Sequence, residues 1–186
     1  MIIRRGVWVG KDRRGGGTVF LMKPKIISWN ARGINDANKR LRICSLLHSW
    51  KADIVCIQVT KLSHVDRNII QSLWGCSFVG WSFLAPLGAS GGVLLMWDKR
   101  VVHLVEDCIE NHSVAVSFKN VVDGWRWALV GVYGPNMDRD RRLLWEGLAG
   151  LHHIWELPWI VMASTREGGT SNLKICGSKR SVLGRR

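Results

Sequence analysis

A chain of 186 residues is long enough for one hydrophobic core. Its apolar share of 47% and its eleven tryptophans exclude an intrinsically disordered protein. No apolar run approaches the roughly 20 residues that span a bilayer, and arginines interrupt the first residues where a signal peptide would be apolar. The net charge of +13 raises the question of a nucleic-acid partner.

The positive charge lies in the two flanks of the sequence. Residues 1–25 carry seven basic residues and one acidic residue, a net +6, and residues 162–186 carry six and one, a net +5. The 136 residues between them carry 14 basic and 12 acidic residues, a net charge of only +2. We therefore expect a basic extension over residues 1–24, one domain over residues 25–161, and a basic, disordered tail over residues 162–186.

Five cysteines, at positions 44, 56, 76, 108 and 176, form no CxxC pair. An odd number without metal-ligand spacing indicates buried free thiols in a reducing compartment rather than disulfides or a metal centre. We expect a soluble, intracellular protein of the nucleus or cytoplasm, with no membrane contact. The sequence leaves the oligomeric state open.

The first predicted elements alternate between strand and helix. A short apolar strand over residues 26–30 is followed by a glycine turn. Asn35-Asp36 can cap a helix whose apolar residues repeat at i, i+3, i+4 and i+7. A second strand, over residues 53–58, breaks off at Val59. Strand ends of this kind bring side chains to one edge of an α/β domain.

The rest of the chain predicts a short helix, a run of strands, a long helix and a last strand. Ser63 followed by Asp66 resembles a capping box that would begin the short helix. Apolar runs and alternation predict strands over residues 78–84, 91–97, 101–106, 114–118 and 125–133. A helix over residues 138–155 and a strand over residues 159–162 follow. Helices alternate with strands early and hairpins dominate the middle, which predicts a layered α/β (α+β) fold with largely antiparallel sheets.

Three motifs occur in one order along the chain: Trp-Asn-x-Arg-Gly at 29–33, Ala-Asp-Ile-Val-Cys-Ile-Gln-x-Thr-Lys at 52–61, and Gly-Val-Tyr-Gly-Pro-Asn at 131–136. Together they resemble the endonuclease/exonuclease/phosphatase family, and within it the apurinic-endonuclease-like domain of plant LINE retrotransposon polyproteins. The resemblance covers about residues 24–161, the N-terminal part of that domain. It implies a DNase I-like fold: a four-layer sandwich of two mostly antiparallel sheets flanked by helices, truncated in this chain.

The resemblance also implies metal-dependent hydrolysis of DNA phosphodiesters. In such chemistry Mg²⁺, held by one or two carboxylates, polarises the phosphate, and another carboxylate orients the attacking water. Asn30 corresponds to the asparagine that helps to arrange metal and phosphate, and Tyr133 and Asn136 correspond to residues that face the phosphate. Two plainer interpretations stay open: Asn30 as an amide that caps the turn before Gly33, and Tyr133 as a packing aromatic at a strand end.

Arg139, Arg141 and Arg142 follow at the start of the long helix. Cations at this position could meet a nucleic-acid backbone. A solvated charged face that pairs with Asp138 and Asp140 is an equally open interpretation.

The chain departs from the family at the positions that carry catalysis. The second strand of the family ends Gln-Glu-Thr-Lys, and that glutamate is the principal metal ligand, whereas this chain has Val59, which offers no oxygen. Asp53, at the other end of that strand, cannot readily substitute. Residues 162–166 read Met-Ala-Ser-Thr-Arg where the family carries Gly-Asp-Phe-Asn, and no equivalent of the family's C-terminal Asp-His pair is found.

We therefore expect a degenerate, truncated endonuclease domain, a pseudoenzyme whose ancestral Mg²⁺ is not bound tightly. The alternative is a non-catalytic nucleic-acid-binding fragment that contacts DNA through its basic tails. A phosphatase-like role on small phosphoesters is disfavoured, because the motifs belong to the nucleic-acid branch. The likeness stops abruptly near Val161, which suggests a frameshift or a decayed exon boundary.

Overall fold

The computed structural model describes residues 2–5, 24–86, 91–135, 137–164 and 174–176. Within them two five-stranded sheets pack face to face, and helices cover the outer face of each sheet. The strands are β1 Ile2–Arg5, β2 Lys25–Asn30, β3 Ile54–Gln58, β4 Val79–Leu84, β5 Val93–Asp98, β6 Val102–Glu110, β7 Ser113–Asn120, β8 Arg126–Tyr133, β9 Trp159–Ser164 and β10 Lys174–Cys176. The helices are α1 Ala37–Trp50, α2 Arg67–Trp74 and α3 Asp138–Trp155.

The sheets are mostly antiparallel, and each contains one parallel pair. The first sheet has the order β1-β2-β3-β5-β4, with β2 and β3 parallel. The second has the order β10-β9-β8-β7-β6, with β8 and β9 parallel. A helix joins each parallel pair, α1 in the first sheet and α3 in the second, because a parallel connection must cross back over the sheet. The expected fold class, a four-layer α/β sandwich of two mostly antiparallel sheets, is confirmed.

Three hydrophobic clusters hold the layers together. Between the sheets, the Phe118 ring lies 5.3 Å from the Trp97 ring and 5.4 Å from the Trp127 ring, measured between centroids. The outer faces of the sheets bury the apolar stripes of α1 and α2 on one side and of α3 on the other. Because strand residues alternate between faces, each central strand contributes to two clusters, which accounts for its nearly complete burial.

Two of the three helices begin after an aspartate. Asp36 caps α1 as predicted, since its Oδ1 accepts a hydrogen bond from Lys39 N at 2.7 Å. The predicted start of α2 at Ser63 is wrong. That helix begins after Asp66, whose Oδ1 accepts from Ile69 N at 2.8 Å. Asp66 is therefore the cap itself and not the third residue of a capping box.

The two flanks each contribute a short strand. β1 pairs antiparallel with β2, and β10 pairs antiparallel with β9. Most of both flanks lies outside the described residues, so the division into extension, domain and tail stays a prediction. In the described part of the chain, no helix combines the length and the apolar character that crossing a bilayer requires.

Candidate functional site

One edge of the sandwich, here called the rim, consists of residues 30–34, 58–61, 91–92, 131–133 and 162–164. It collects the carboxyl ends of all four parallel strands, because β2 ends at Asn30 beside Gln58, and β8 ends at Tyr133 beside Ser164. The Gln58 side chain joins the two sheets there, since its Nε2 donates to the Met162 carbonyl oxygen at 2.8 Å. Strand ends that are far apart in the sequence therefore lie together at one edge of the sandwich.

Backbone hydrogen bonds continue from the first sheet into the loops of the rim. Gly33 N donates to the Val59 carbonyl oxygen at 2.6 Å, and Thr60 N donates to the Gly92 carbonyl oxygen at 3.3 Å. Three loops, after β2, after β3 and before β5, thus form one bonded layer. The fold itself holds the rim in shape.

The backbone of the rim is strained. Five non-glycine residues in the described ranges have positive φ, and two of them, Lys51 and Glu156, are helix C-caps, where this conformation is ordinary. The other three lie in the rim: Arg32 at 53°, Val59 at 57° and Lys61 at 56°. This conformation costs roughly 1–2 kcal/mol for a residue with a β carbon, and a β-branched residue there is an outlier. Strain of this kind collects at functional sites.

Position 92 requires a glycine, because the backbone there approaches Thr60 closely. It has a φ of +84°, and a β carbon at this position would overlap Thr60 Oγ1. The same loop passes under the Tyr133 ring, because a β carbon on Gly91 would lie 3.1 Å from Tyr133 Cδ1 and Cε1.

Asn30, the predicted metal and phosphate residue, is half-buried at the rim. Its Oδ1 accepts from Arg32 N at 3.3 Å, so the amide also closes the turn after β2, as the plainer interpretation expects. The role of Asn30 toward metal or phosphate stays a prediction.

Tyr133 and Asn136 were the predicted phosphate-facing residues. Tyr133 lies at the rim, packs against the cluster between the sheets, and donates from its backbone N to the His112 carbonyl oxygen at 2.9 Å. These contacts agree with the packing interpretation and leave the site role of Tyr133 a prediction. Asn136 lies outside the described residues.

The three predicted nucleic-acid-binding arginines are exposed at the start of α3. Arg141 pairs with Asp138, with 3.0 Å between an Arg141 terminal nitrogen and Asp138 Oδ1. Exposed pairs of this type contribute little stability, so the pairing leaves Arg141 accessible. Binding by Arg139, Arg141 and Arg142 stays a prediction.

The carboxylates of the first sheet lie away from the rim. Asp53 precedes β3, which separates it from Val59 by roughly 20 Å at about 3.3 Å per strand residue. Its Oδ2 accepts from Lys25 N at 2.6 Å. Burial raises the pKa of the Asp53 carboxyl, and this effect outweighs the opposing hydrogen bond from Lys25. Asp53 is thus a structural acid at the other end of the strand, as its sequence position indicated.

The rim does not fit the Mg²⁺ that the resemblance implies. The side-chain oxygens of Asn30, Gln58, Thr60 and Tyr133 are amide or hydroxyl oxygens, and Val59 supplies none. Mg²⁺ in proteins is anchored by one or two carboxylates. Across the residues that the structure describes, no group of three or more His, Cys, Asp or Glu side chains is placed to hold a metal ion.

Two rim residues were missed by sequence reasoning. Gln58 and Thr60 are fully buried, and neither Gln58 Oε1 nor Thr60 Oγ1 has a hydrogen-bond partner among the described residues. Buried polar atoms are normally satisfied, so each exception requires an explanation such as a water, an ion or a functional role. A glutamine that closes an otherwise apolar strand was a usable signal for Gln58. Thr60 offered no comparable signal.

Cys56 is the cysteine of β3, the strand that leads to the rim. The four cysteines that the structure describes, Cys44, Cys56, Cys76 and Cys108, are free thiols as predicted, but only Cys56 is buried and the other three are half-buried. Cys56 is fully buried, and burial raises the pKa of its thiol to about 12. A thiol that stays protonated at neutral pH is not a nucleophile.

Comparison with known proteins agrees with the fold. No protein-family model matches the chain. The exodeoxyribonuclease of Bacillus subtilis (strain 168) is 27% identical over 143 residues, which cover 72% of this chain and 53% of that protein. An endonuclease/exonuclease/phosphatase family protein from Bacteroides thetaiotaomicron superposes with a TM-score of 0.58 at 14% identity, over 74% of this chain and 62% of that chain. The human Nocturnin catalytic domain, solved with bound sulfate, superposes with a TM-score of 0.54 at 15% identity, over 73% of this chain and 62% of that chain.

These similarities define the class of fold. The chain has the DNase I-like α/β sandwich of endonuclease/exonuclease/phosphatase proteins, a fold used by nucleases and phosphatases. It spans about half the length of the curated relative and about three fifths of the solved chains.

Proposed function

We propose that this chain is an endonuclease-type domain that no longer hydrolyses phosphodiesters. The observation that carries the proposal is Val59. It stands at the rim in a strained left-handed conformation, directly after a buried strand, at the position where the resemblance expects a metal-binding glutamate. The backbone at position 59 keeps the left-handed conformation, but the valine side chain has no oxygen with which to bind a metal ion.

The chemistry of the described rim supports the same conclusion. Hydrolysis in this class needs a carboxylate to hold the cation and another to orient the water, and the rim side chains named above supply neutral oxygens only. The motifs in register further support descent from the endonuclease domain of a plant LINE-type retrotransposon. This origin rests on the sequence motifs alone.

A nicking assay on supercoiled plasmid and on an abasic DNA duplex tests the loss of catalysis. We expect purified protein with Mg²⁺ to cleave no more than the same protein with EDTA. Val59→Glu alone should not restore cleavage, because residues 162–166 supply no second carboxylate at the Gly-Asp-Phe-Asn position. Metal-dependent nicking by the unaltered chain that disappears in Asn30→Ala would refute the proposal, since a contaminating nuclease would not respond to that substitution.

A second candidate is a non-catalytic nucleic-acid binder that acts through its flanks. It is favoured by the charge distribution, a net +6 and +5 in the flanks against +2 in the 136 residues between them. Binding by such flanks would be insensitive to DNA sequence and would weaken steeply with salt. Saturable binding that persists at high salt, or that depends on base sequence, would count against it.

A further inference from the structure

The residues that form the rim include two cations and no carboxylate. Arg32 and Lys61 are its exposed cations, and among the described residues neither forms an ion pair. The two lie close together, because the Lys61 side chain passes over Gly33, where an added β carbon would be 3.3 Å from Lys61 Cδ. The nearest acid along the chain, Asp36, caps α1 and offsets part of the positive charge at the start of that helix.

Two further cations hold the loop after β2 in place. Lys39 Nζ donates to the Ala31 carbonyl oxygen at 2.7 Å, and Arg40 donates to the carbonyl oxygens of Ile34 and Asn35 at 3.0 and 2.7 Å. Both residues lie in the first turn of α1, which contains no acidic residue. Cations at a helix N-terminus are opposed by the helix dipole. Their presence at this end therefore adds to an already positive potential.

A carboxylate at position 59 would change how this rim meets a phosphate. Like charges within a few ångströms repel, and a divalent cation would have to neutralise the carboxylate before a phosphate could approach. Val59 removes that negative charge, while the hydrogen-bonded loops and Gly92 keep the backbone in shape. A site whose shape is fixed in advance binds with a smaller ordering cost.

We propose that the rim binds backbone phosphates of DNA directly, through Arg32 and Lys61, without a divalent cation. This inference rests on the proposed function in taking the rim as the phosphate-facing edge. It goes further in one respect: a rim that lacks carboxylates for Mg²⁺ would bind phosphate through the side chains of Arg32 and Lys61 instead.

The test measures binding of a short fluorescein-labelled DNA duplex by fluorescence anisotropy, in EDTA and in Mg²⁺, over a range of salt concentrations. The rim variant is Arg32→Gln with Lys61→Gln. Its matched control is Lys119→Gln with Arg126→Gln, a cross-strand pair of exposed cations in β7 and β8 at the opposite end of the second sheet. Both variants leave the basic flanks unchanged and remove the same charge, so their difference reports the rim alone.

We expect the unaltered chain to bind in EDTA. The rim variant should bind about tenfold more weakly than the control and lose about two units of the slope of log K against log salt, since each lost phosphate contact lowers that slope by about 0.9. Equal losses in the rim and control variants, or binding of the unaltered chain only in Mg²⁺, would overturn the proposal.

Restoring a carboxylate gives an independent test. Val59→Glu should weaken binding in EDTA by about fivefold, and Mg²⁺ should recover part of the loss. Val122→Glu, at an exposed turn (70% exposed) away from the rim, should do neither. If the two variants behave alike, the rim is not the phosphate site. Cleavage of DNA in Mg²⁺ would contradict the proposed loss of catalysis and leave this inference standing, whereas absence of binding in EDTA would do the reverse.

Discussion

The two ends of the sandwich differ in how their buried amides are bonded. Polar satisfaction is not complete at either end, because Trp159 Nε1, where β9 begins beside Ala128, has no partner among the described residues. The far end consists of residue 53, residues 98–101 and residues 119–127. There Trp127 Nε1 donates to Asn120 Oδ1 at 2.9 Å, and a hydrogen-bonded ion pair with Arg100 lowers the pKa of Asp98. At the rim, Gln58 Oε1 and Thr60 Oγ1 have no partner among the described residues.

Backbone strain follows the same division. Three of the five positive-φ non-glycine residues of the described chain lie at the rim. The other two, Lys51 and Glu156, precede β3 and β9 at the opposite end and are helix C-caps, where this conformation is ordinary. The far end therefore serves stability. The rim keeps features that stability does not explain, which is typical of a functional site.

The largest effect is expected when a side chain is forced into the rim. Gly92→Ala should destabilise the fold by about 2–4 kcal/mol, because the new β carbon overlaps Thr60 Oγ1 and must adopt a φ of +84°. The control is Gly150→Ala in α3, where nothing lies within 4 Å and alanine should stabilise the helix by about 0.5–1 kcal/mol. Urea unfolding measures both. A Gly92→Ala loss below about 1 kcal/mol would mean that the rim can relax.

An intermediate effect on stability is expected from replacing the buried amide side chain at each end, Asn120 at the far end and Gln58 at the rim. Asn120→Leu should cost about 1–3 kcal/mol, because it leaves the buried Trp127 Nε1 without its acceptor. Gln58→Met should cost less, since it removes an unsatisfied oxygen together with the hydrogen bond to Met162. The free energies of unfolding of both variants decide the point. A greater loss at Gln58 would show that this amide contributes more to stability than the far-end pair does.

The smallest effect concerns the strain at Val59. Val59→Asn should stabilise the fold by about 0.5–1 kcal/mol, because asparagine tolerates the left-handed conformation far better than a β-branched residue. Ile109→Asn, at a 50% exposed position that pairs regularly with Val114 in β6, should be neutral or slightly destabilising. Both are measured by thermal unfolding. Equal shifts at the two positions would argue that the backbone at Val59 is not strained.

The sequence predicted elements best where the signals are local. The predicted limits of α3, residues 138–155, are those observed, because its apolar stripe and its start after a proline-containing turn are read within one segment. β6 was predicted to end at Glu106 but continues to Glu110. Its register shifts between Leu104 and Glu106, and this irregularity breaks the alternation on which the prediction relied.

The rim was predictable only in part. Asn30 and Val59 were placed correctly at strand ends, since the pattern of strand and helix fixes where strands stop. The link from Gln58 to Met162 could not be found in the same way, because these residues belong to different sheets and no local periodicity connects them. Left-handed conformations at Arg32 and Lys61 likewise follow from the bonded loops and not from residue type.

The hydrogen bond from Gln58 to Met162 has a consequence for folding, because it joins residues 104 positions apart. The units β2–α1–β3 and β8–α3–β9 can each form from nearby segments, whereas this contact can close only after both sheets are in place. Contacts between distant residues require the entropy of a large loop to be lost first. We therefore expect the rim to be among the last parts of the sandwich to form and among the first to open, with faster amide exchange than the strand centres. A phosphate bound by Arg32 and Lys61 would join the loops after β2 and β3, on the first-sheet side of this contact.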